Sequence, residues 1–202
     1  IFIFVISNNL YIYDFDHKII DPIINSSIYL SLFFSILSIF LVVNGFNIID
    51  GLNGLSLGIA IIILLNISFL SYNLNSFVFL LSTSLLIPSL LLFIVNFSFG
   101  EILLGDGGSY FLGFVISVLC IISSQYNIMN SFHVACIIFY PAFEIFFTFL
   151  RRIFMDKSSP FLPDDKHLHF MLFTIIKKNI VFKKNSNTFK NSASALIILS
   201  LY

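Results

Sequence analysis

Five long apolar runs, at residues 28–43, 55–70, 77–95, 110–124 and 132–150, decide what this chain can fold into. A helix that crosses a membrane takes about 20 apolar residues. Inside lipid every backbone N–H and C=O must be satisfied by the protein, which leaves helices or closed barrels. None of the runs alternates with period two, and Gly/Pro turns do not recur at the short intervals of a barrel. The expected fold is all-α: a polytopic transmembrane helix bundle with about five complete spans and a sixth that opens near Ala193. Composition excludes a soluble domain, because only 10% of the residues are charged, against about 25% in soluble proteins. Pro88 and Pro141 fall inside runs and are expected to kink their helices. Cys120 and Cys136 also lie in apolar runs and read as small apolar residues, with neither a disulfide nor a metal site assigned to them. The opening stretch 1–13 is short and polar at Ser7, Asn8 and Asn9, and reads as the tail of a preceding helix.

Charge orients the bundle. The connections 71–76 and 126–131 carry no charge, and the connections 44–54, 96–109 and 151–190 lie on the other side. Nine of the ten Lys and Arg residues fall in 151–190, with Lys18 the exception. Loops rich in Lys and Arg stay in the cytoplasm, so these three connections are cytoplasmic. That assignment uses only Lys and Arg, yet the polar clusters that follow all fall on the same side.

The first cluster is Asn44-Gly-Phe-Asn-Ile-Ile-Asp-Gly-Leu-Asn-Gly54. Asn44, Asn47, Asp50 and Asn53 repeat every three residues, which on a helix makes a drifting ridge of oxygen-bearing side chains. An Asn/Gly-capped helix end accounts for the string as well. The second is Gly105-Asp-Gly-Gly-Ser109, ahead of an apolar run. A glycine-rich segment opening a helix offers N–H groups and a positive dipole end to an anion. Asp106 there suits a hard cation such as Mg2+, which takes one or two carboxylates plus substrate phosphates. The plainer alternative is an Asp/Ser cap. The third is Pro163-Asp-Asp-Lys-His-Leu-His169, downstream of Arg151 and Arg152. Histidines two apart share a side of an extended chain but sit about 200° apart on a helix. The arginines suit phosphate, or they only mark the cytoplasmic end of a helix. Zinc at the histidines would lack a third ligand nearby. Glu144 stands well inside a run, where a carboxylate is costly. It is too far from Arg151 on the same helix face for a direct pair, so a contact to another helix or to the active-site cavity is expected. His133 reads as an interfacial residue on the non-cytoplasmic side.

Together these strings resemble the polyprenyl-phosphate N-acetylhexosamine-1-phosphate transferases of glycosyltransferase family 4. Within that family the chain is closer to the type that initiates O-antigen and enterobacterial common antigen than to the phospho-MurNAc-pentapeptide transferase of peptidoglycan. The matching segments are 44–55, 104–109 and the Asp-x-x-His-Leu-His of 164–169, with Asn96 ahead of the Gly-Asp segment. The chain departs from the family at Asn53, where Asp is frequent, at Glu101, where a basic residue is common, and at Phe170, where many members carry His.

The resemblance implies transfer of a sugar-1-phosphate from a UDP-sugar to polyprenyl phosphate, with release of UMP, dependent on Mg2+ or, in its place, Mn2+. It implies catalytic roles for Asp50, Asp106, His167 and His169. Substrate contacts would come from Asn44, Asn47, Asn53, Asn96, Arg151, Arg152 and Asp164, and metal contacts from Asp106 and Asn47. It places the protein in a bacterial inner membrane with its site on the cytoplasmic face, without nucleic acid, and with room for a homodimer. The family's paired aspartates on an earlier loop have no counterpart after Ile1. The chain does not open with Met, and the run from Ala193 is short at Tyr202. The expectation is therefore one membrane transferase domain over 1–202, incomplete at the N-terminus and also at the C-terminus, that inserts without turning over. The rival classes are the pentapeptide transferase and, from a different class, a membrane transporter fragment, for which Glu144 speaks.

Cysteines placed in 71–76 or 126–131 should react with an impermeant maleimide in intact cells, and cysteines in 151–190 only after permeabilisation. Strong labelling of the latter in intact cells would reverse the topology.

Overall fold

The computed structural model of the 202-residue chain describes residues 1–100, 104–156, 166–178 and 186–202. The helices are α1 (Phe2–Ser7), α2 (Ile20–Asn25), α3 (Ile28–Ile49), α4 (Leu55–Ser71), α5 (Ser76–Phe99), α6 (Gly105–Gln125), α7 (Ser131–Ile137), α8 (Phe139–Arg151), α9 (Leu168–Lys178) and α10 (Asn187–Leu201). A π-helical turn, Arg152–Asp156, extends α8. No strand occurs among the described residues.

Length and apolarity let three of these helices cross a membrane: α3, α5 and α6. The pair α7 and α8 makes a fourth crossing if read as one span, bent by 74° at Ile138. Helix α4 is apolar and largely buried but has 17 residues, about 26 Å at 1.5 Å per residue. The expectation of about five complete spans is thus corrected to three long helices, one broken pair and one short helix. The run 132–150 is not a single kinked span. Pro141 has no N–H for the Ile137 carbonyl, and its ring crowds that turn. The helix breaks at Ile138, and the Ile137 carbonyl accepts from the Tyr202 hydroxyl of α10 instead. Pro88, by contrast, sits inside a continuous α5.

Polar residues define the starts and stops. Asn75 caps α5 by accepting from the amides of Phe77 and Val78, Asn130 caps α7 through the His133 amide, and Ser186 caps α10 through that of Phe189. The opening segment does not float free. Leu10 and Tyr11 are buried against Ile39 of α3 and Val118 and Ile121 of α6. Gln125 donates to the carbonyls of Asn9 and Tyr11 at 2.9 and 3.0 Å. His133, read as interfacial, is half-buried, and its Nε2 lies 2.8 Å from Asn66 Oδ1 and couples α7 to α4.

Helix α3 packs on α6 along one side and on α8 along another, while α4 packs on α5. Both contacts of α3 are close enough to exclude a side chain. A Cβ on Gly113 would sit 2.9 Å from the Val43 Cα, and one on Gly45 would overlap the Pro141 carbonyl. Two helices in lipid gain little from apolar burial, so close approach at small residues is what joins them. Buried serines add to it, as where Ser68 of α4 donates to Ser82 of α5 at 2.9 Å.

Gly45→Val should lower stability by about 1–3 kcal/mol or more, the cost of overpacking a filled contact, read as a lower unfolding midpoint in detergent. Gly107→Ala is the control, since its Cβ would meet nothing within 4 Å.

Candidate active site

The site is assembled at the end of α3. That helix runs past the apolar residues to Ile49, with Asp50 at its C-terminus. The chain then turns through 51–53 into α4, whose start is Gly54 with φ +78°, a conformation that favours glycine. Three contacts hold this turn. The Gly54 amide donates to Asn96 Oδ1 of α5. The Asn53 amide donates to Asn191 Oδ1 of α10 at 2.6 Å. Ser192, beside Asn191, donates to the Phe97 carbonyl at 2.7 Å and ties α10 to α5.

Gly105-Asp-Gly-Gly-Ser is not a loop before a helix, as the sequence suggested, but the first turn of α6 itself. It docks onto α3 through Asn47, whose amide donates to Asp106 Oδ1 at 3.0 Å and to Ser109 Oγ at 3.2 Å. Asp50 accepts from Ser56 Oγ and from the Gly105 amide. Burial raises the Asp50 carboxyl above its ordinary value, and the charge of Asp106 adds to the effect, while the bonds from Ser56 and Gly105 oppose it. Two carboxylates and an amide oxygen therefore share one end of the α3–α6 contact. These are all hard oxygen donors, and a divalent cation would relieve the burden on Asp50, so the residues suit Mg2+. Among the described residues no three His, Cys, Asp or Glu side chains gather as a metal cage. A cation here would depend on phosphate and water for most of its ligands.

The His-Leu-His string reaches the same turn from α8. Glu144, 2% exposed, accepts at Oε1 from the Tyr140 hydroxyl and the Leu168 amide, both at 3.1 Å. His167 Nδ1 lies 3.4 Å from Glu144 Oε2 and 3.2 Å from Thr148 Oγ1. His169 Nδ1 lies 3.7 Å from Oε1, within ion-pair reach but long for a hydrogen bond. The two imidazoles stack in parallel, 5.5 Å apart. His169 packs over the α3–α4 turn, where a Cβ on Gly51 would be 2.9 Å from its Nε2. Arg151 and Arg152, at the end of α8, are buried.

The structure thus brings together Asn47, Asp50 and Asp106, and carries His169 to the neighbouring Gly51. It corrects the ridge of four. Asn44 donates to the Phe40 carbonyl of its own helix at 2.8 Å rather than to α6. The helix ends at Asp50, so Asn53 turns away and its backbone is held by α10. Asn96 is committed to the Gly54 amide and serves the turn. Asp164, Asp165 and Glu101 lie outside the described residues. Glu144 was visible only as a misplaced carboxylate, and nothing in the sequence named its partners. Ser56, Tyr140, Thr148 and Asn191 carried no signal at all.

Fold and site define an integral membrane protein, without strands in its described residues, in which Asp50, Asp106, His169 and the Glu144 that holds it gather around the end of α3. The sequence profile described as Glycosyl transferase family 4 matches residues 1–124, and the chain belongs to that family. The match covers the strings at 44–55 and 104–109 and stops before the histidines. Two curated proteins are similar. One, named "Probable undecaprenyl-phosphate N-acetylglucosaminyl 1-phosphate transferase", from Bacillus subtilis (strain 168), is 36% identical over 136 residues, which is 65% of this chain and 37% of that protein. The other, named "Undecaprenyl-phosphate alpha-N-acetylglucosaminyl 1-phosphate transferase", from Thermotoga maritima, is 31% identical over 136 residues, 67% of this chain and 41% of that protein. The matched segment thus spans about two fifths of each curated relative. No solved structure matches the chain.

Because the carboxyl of Asp50 titrates above the ordinary value, the fold favours its protonated form. That contribution is full below the unfolded value of 3.8 and is lost as pH rises through the folded one. Asp50→Asn should therefore unfold at a higher temperature than the parent at about pH 8 without divalent cation, and the gap should close towards about pH 4. Thermal melts in detergent across that range measure it.

Proposed function

We propose that the protein transfers N-acetylhexosamine-1-phosphate from a UDP-sugar to a polyprenyl phosphate, releasing UMP, at the cytoplasmic face of a bacterial inner membrane. The observation that carries this reading is the Asn47–Asp106 bond, which joins two strings far apart in the chain into one acidic site. The names of both curated relatives favour N-acetylglucosamine as the sugar and undecaprenyl phosphate as the lipid. The setting suits such a pair of substrates, one held in lipid and one in the cytosol.

In the reaction an oxygen of the lipid phosphate bonds to the β-phosphorus of the UDP-sugar. The bond from that phosphorus to the bridging oxygen breaks, and the electron pair leaves on UMP. A phosphate monoester is already anionic near neutral pH, so the obstacle is the approach of two anions rather than proton removal. A bound Mg2+ supplies charge neutralisation for the diphosphate, and Asp106, Asp50 and Asn47 are the residues that would hold it. Asn47 orients Asp106 through its amide. Ser56 and the Gly105 amide keep Asp50 directed to the same place. His167 and the arginines at the end of α8 offer N–H donors to phosphate oxygens. A transporter reading loses its main support, because Glu144 is turned into the His-Leu-His string rather than into a path across the bilayer.

Membranes from cells expressing the natural gene should release UMP from UDP-N-acetylglucosamine when supplied with polyprenyl phosphate and Mg2+. Asp106→Asn should cut that rate by about 100-fold or more, roughly 2.7 kcal/mol of transition-state stabilisation, with unchanged membrane insertion. Near-normal turnover at saturating Mg2+ would reduce Asp106 to a helix cap.

A further inference from the structure

Glu144 is held by several partners at once, and the proposed function gives it no task. It lies in the middle of α8, a membrane helix, where a carboxylate is costly unless fully satisfied. What satisfies it comes chiefly from one short segment: the Leu168 amide at 3.1 Å, His167 Nδ1 at 3.4 Å and His169 Nδ1 at 3.7 Å. One carboxylate thus bonds a backbone amide of the His-Leu-His string and lies beside the same edge of both rings. The two nitrogens of an imidazole lie on different edges, so a partner fixed at Nδ1 decides both where Nε2 points and which nitrogen carries the proton.

A second observation shows where that leads. His169 is 0% exposed, yet neither ring nitrogen makes a hydrogen bond: Nδ1 has Glu144 within ion-pair reach at 3.7 Å, and Nε2 has no polar partner at all. That atom faces Gly51, next to Asp50. Buried polar atoms are rarely left unpaired, and one that is needs a reason. An unpaired imidazole nitrogen against Gly51, one residue from the Asp50 carboxylate, is a place built for a ligand. The partner that fits both is a phosphate oxygen, which takes the N–H of the ring, brought in with its cation, which takes the carboxylate.

We propose that Glu144 is the positioning residue of this site: it holds a proton on Nδ1 of His167 and His169 and so presents the Nε2 edge of His169 to a substrate phosphate at the Asp50–Gly51 turn. This rests on the proposed function for the identity of the phosphate, but not for the clamp itself. Glu144 touches neither substrate nor cation and acts through the histidines.

Two measurements test it. The 202-residue chain, labelled with 15N-histidine and held in lipid nanodiscs, has four histidines. In the parent, two of them should show a proton on Nδ1. In Glu144→Gln, which can still accept from Tyr140 and Leu168 and so keeps the fold, those two signals should move to the opposite tautomer. An unchanged histidine spectrum would overturn the proposal. In the UMP-release assay, Glu144→Gln should lose roughly 10- to 100-fold in kcat, as expected on removing an outer partner of a functional histidine. KM for the UDP-sugar should stay within about 3-fold, and Glu144→Asp should recover part of the rate. Parental kcat in Glu144→Gln, or a raised KM with kcat intact, would also overturn it. Should membranes from cells expressing the natural gene release no UMP, the functional reading falls, and the nitrogen spectrum still upholds or overturns the clamp.

Discussion

Helix α3 has no room to spare on two sides. Its Gly45 lies under Pro141 of α8, and its Val43 lies under Gly113 of α6. In lipid these contacts replace the apolar driving force that holds helices together in water, and they also set register. Gly113 is two turns beyond Asp106, Gly45 is two residues before Asn47, and Pro141 is three before Glu144. The α3–α6 crossing therefore delivers Asp106 to Asn47. The α3–α8 crossing delivers Glu144, with the histidines it holds, to the end of the same helix. The chemistry sits at the end of α3 because α3 is where both neighbours come closest.

The rest of the architecture follows from backbone groups that lose their helical partners. The break at Ile138 leaves the Ile137 carbonyl without the amide that Pro141 cannot supply, and Tyr202 answers it. The turn after Asp50 leaves the amides of Asn53 and Gly54 outside any helix, and Asn191 and Asn96 answer them. Unsatisfied amides and carbonyls are too costly to leave inside a bundle. Helices α5 and α10 are thereby tied to the turn that carries Asp50.

The long apolar helices α3 to α6 were legible in the sequence because lipid imposes a length and forbids charge, and both constraints are local, whereas α9 lies in a stretch read as a connection. The three strings were legible because they are clusters of polar residues at helix ends, where lipid permits them. What was not legible depended on direction or on distance along the chain. Four residues spaced by three look like one ridge, but the helix ends at Asp50, so Asn44 and Asn53 point elsewhere. A proline in an apolar run signals a disturbance, and only the packing of Gly45 shows that it becomes a 74° break at Pro141's own N-terminal side. Glu144 announced itself by its cost, while its partner Leu168 is 24 residues away, across a stretch with no apolar periodicity to follow.

The bond between the Asn53 amide and Asn191 spans 138 positions of the chain. At roughly 5–20 residues per second, that distance separates the two in synthesis by about 7 to 28 seconds. Helices α3 to α8 can enter the membrane and find their crossings within that interval. The acidic turn then has a scaffold around it but no acceptor for one of its amides. Its final shape waits for α10, so the α3–α6 and α3–α8 crossings can form before the turn is fastened. A ribosome stalled before Asn191 would leave a well-inserted protein with an unfastened site.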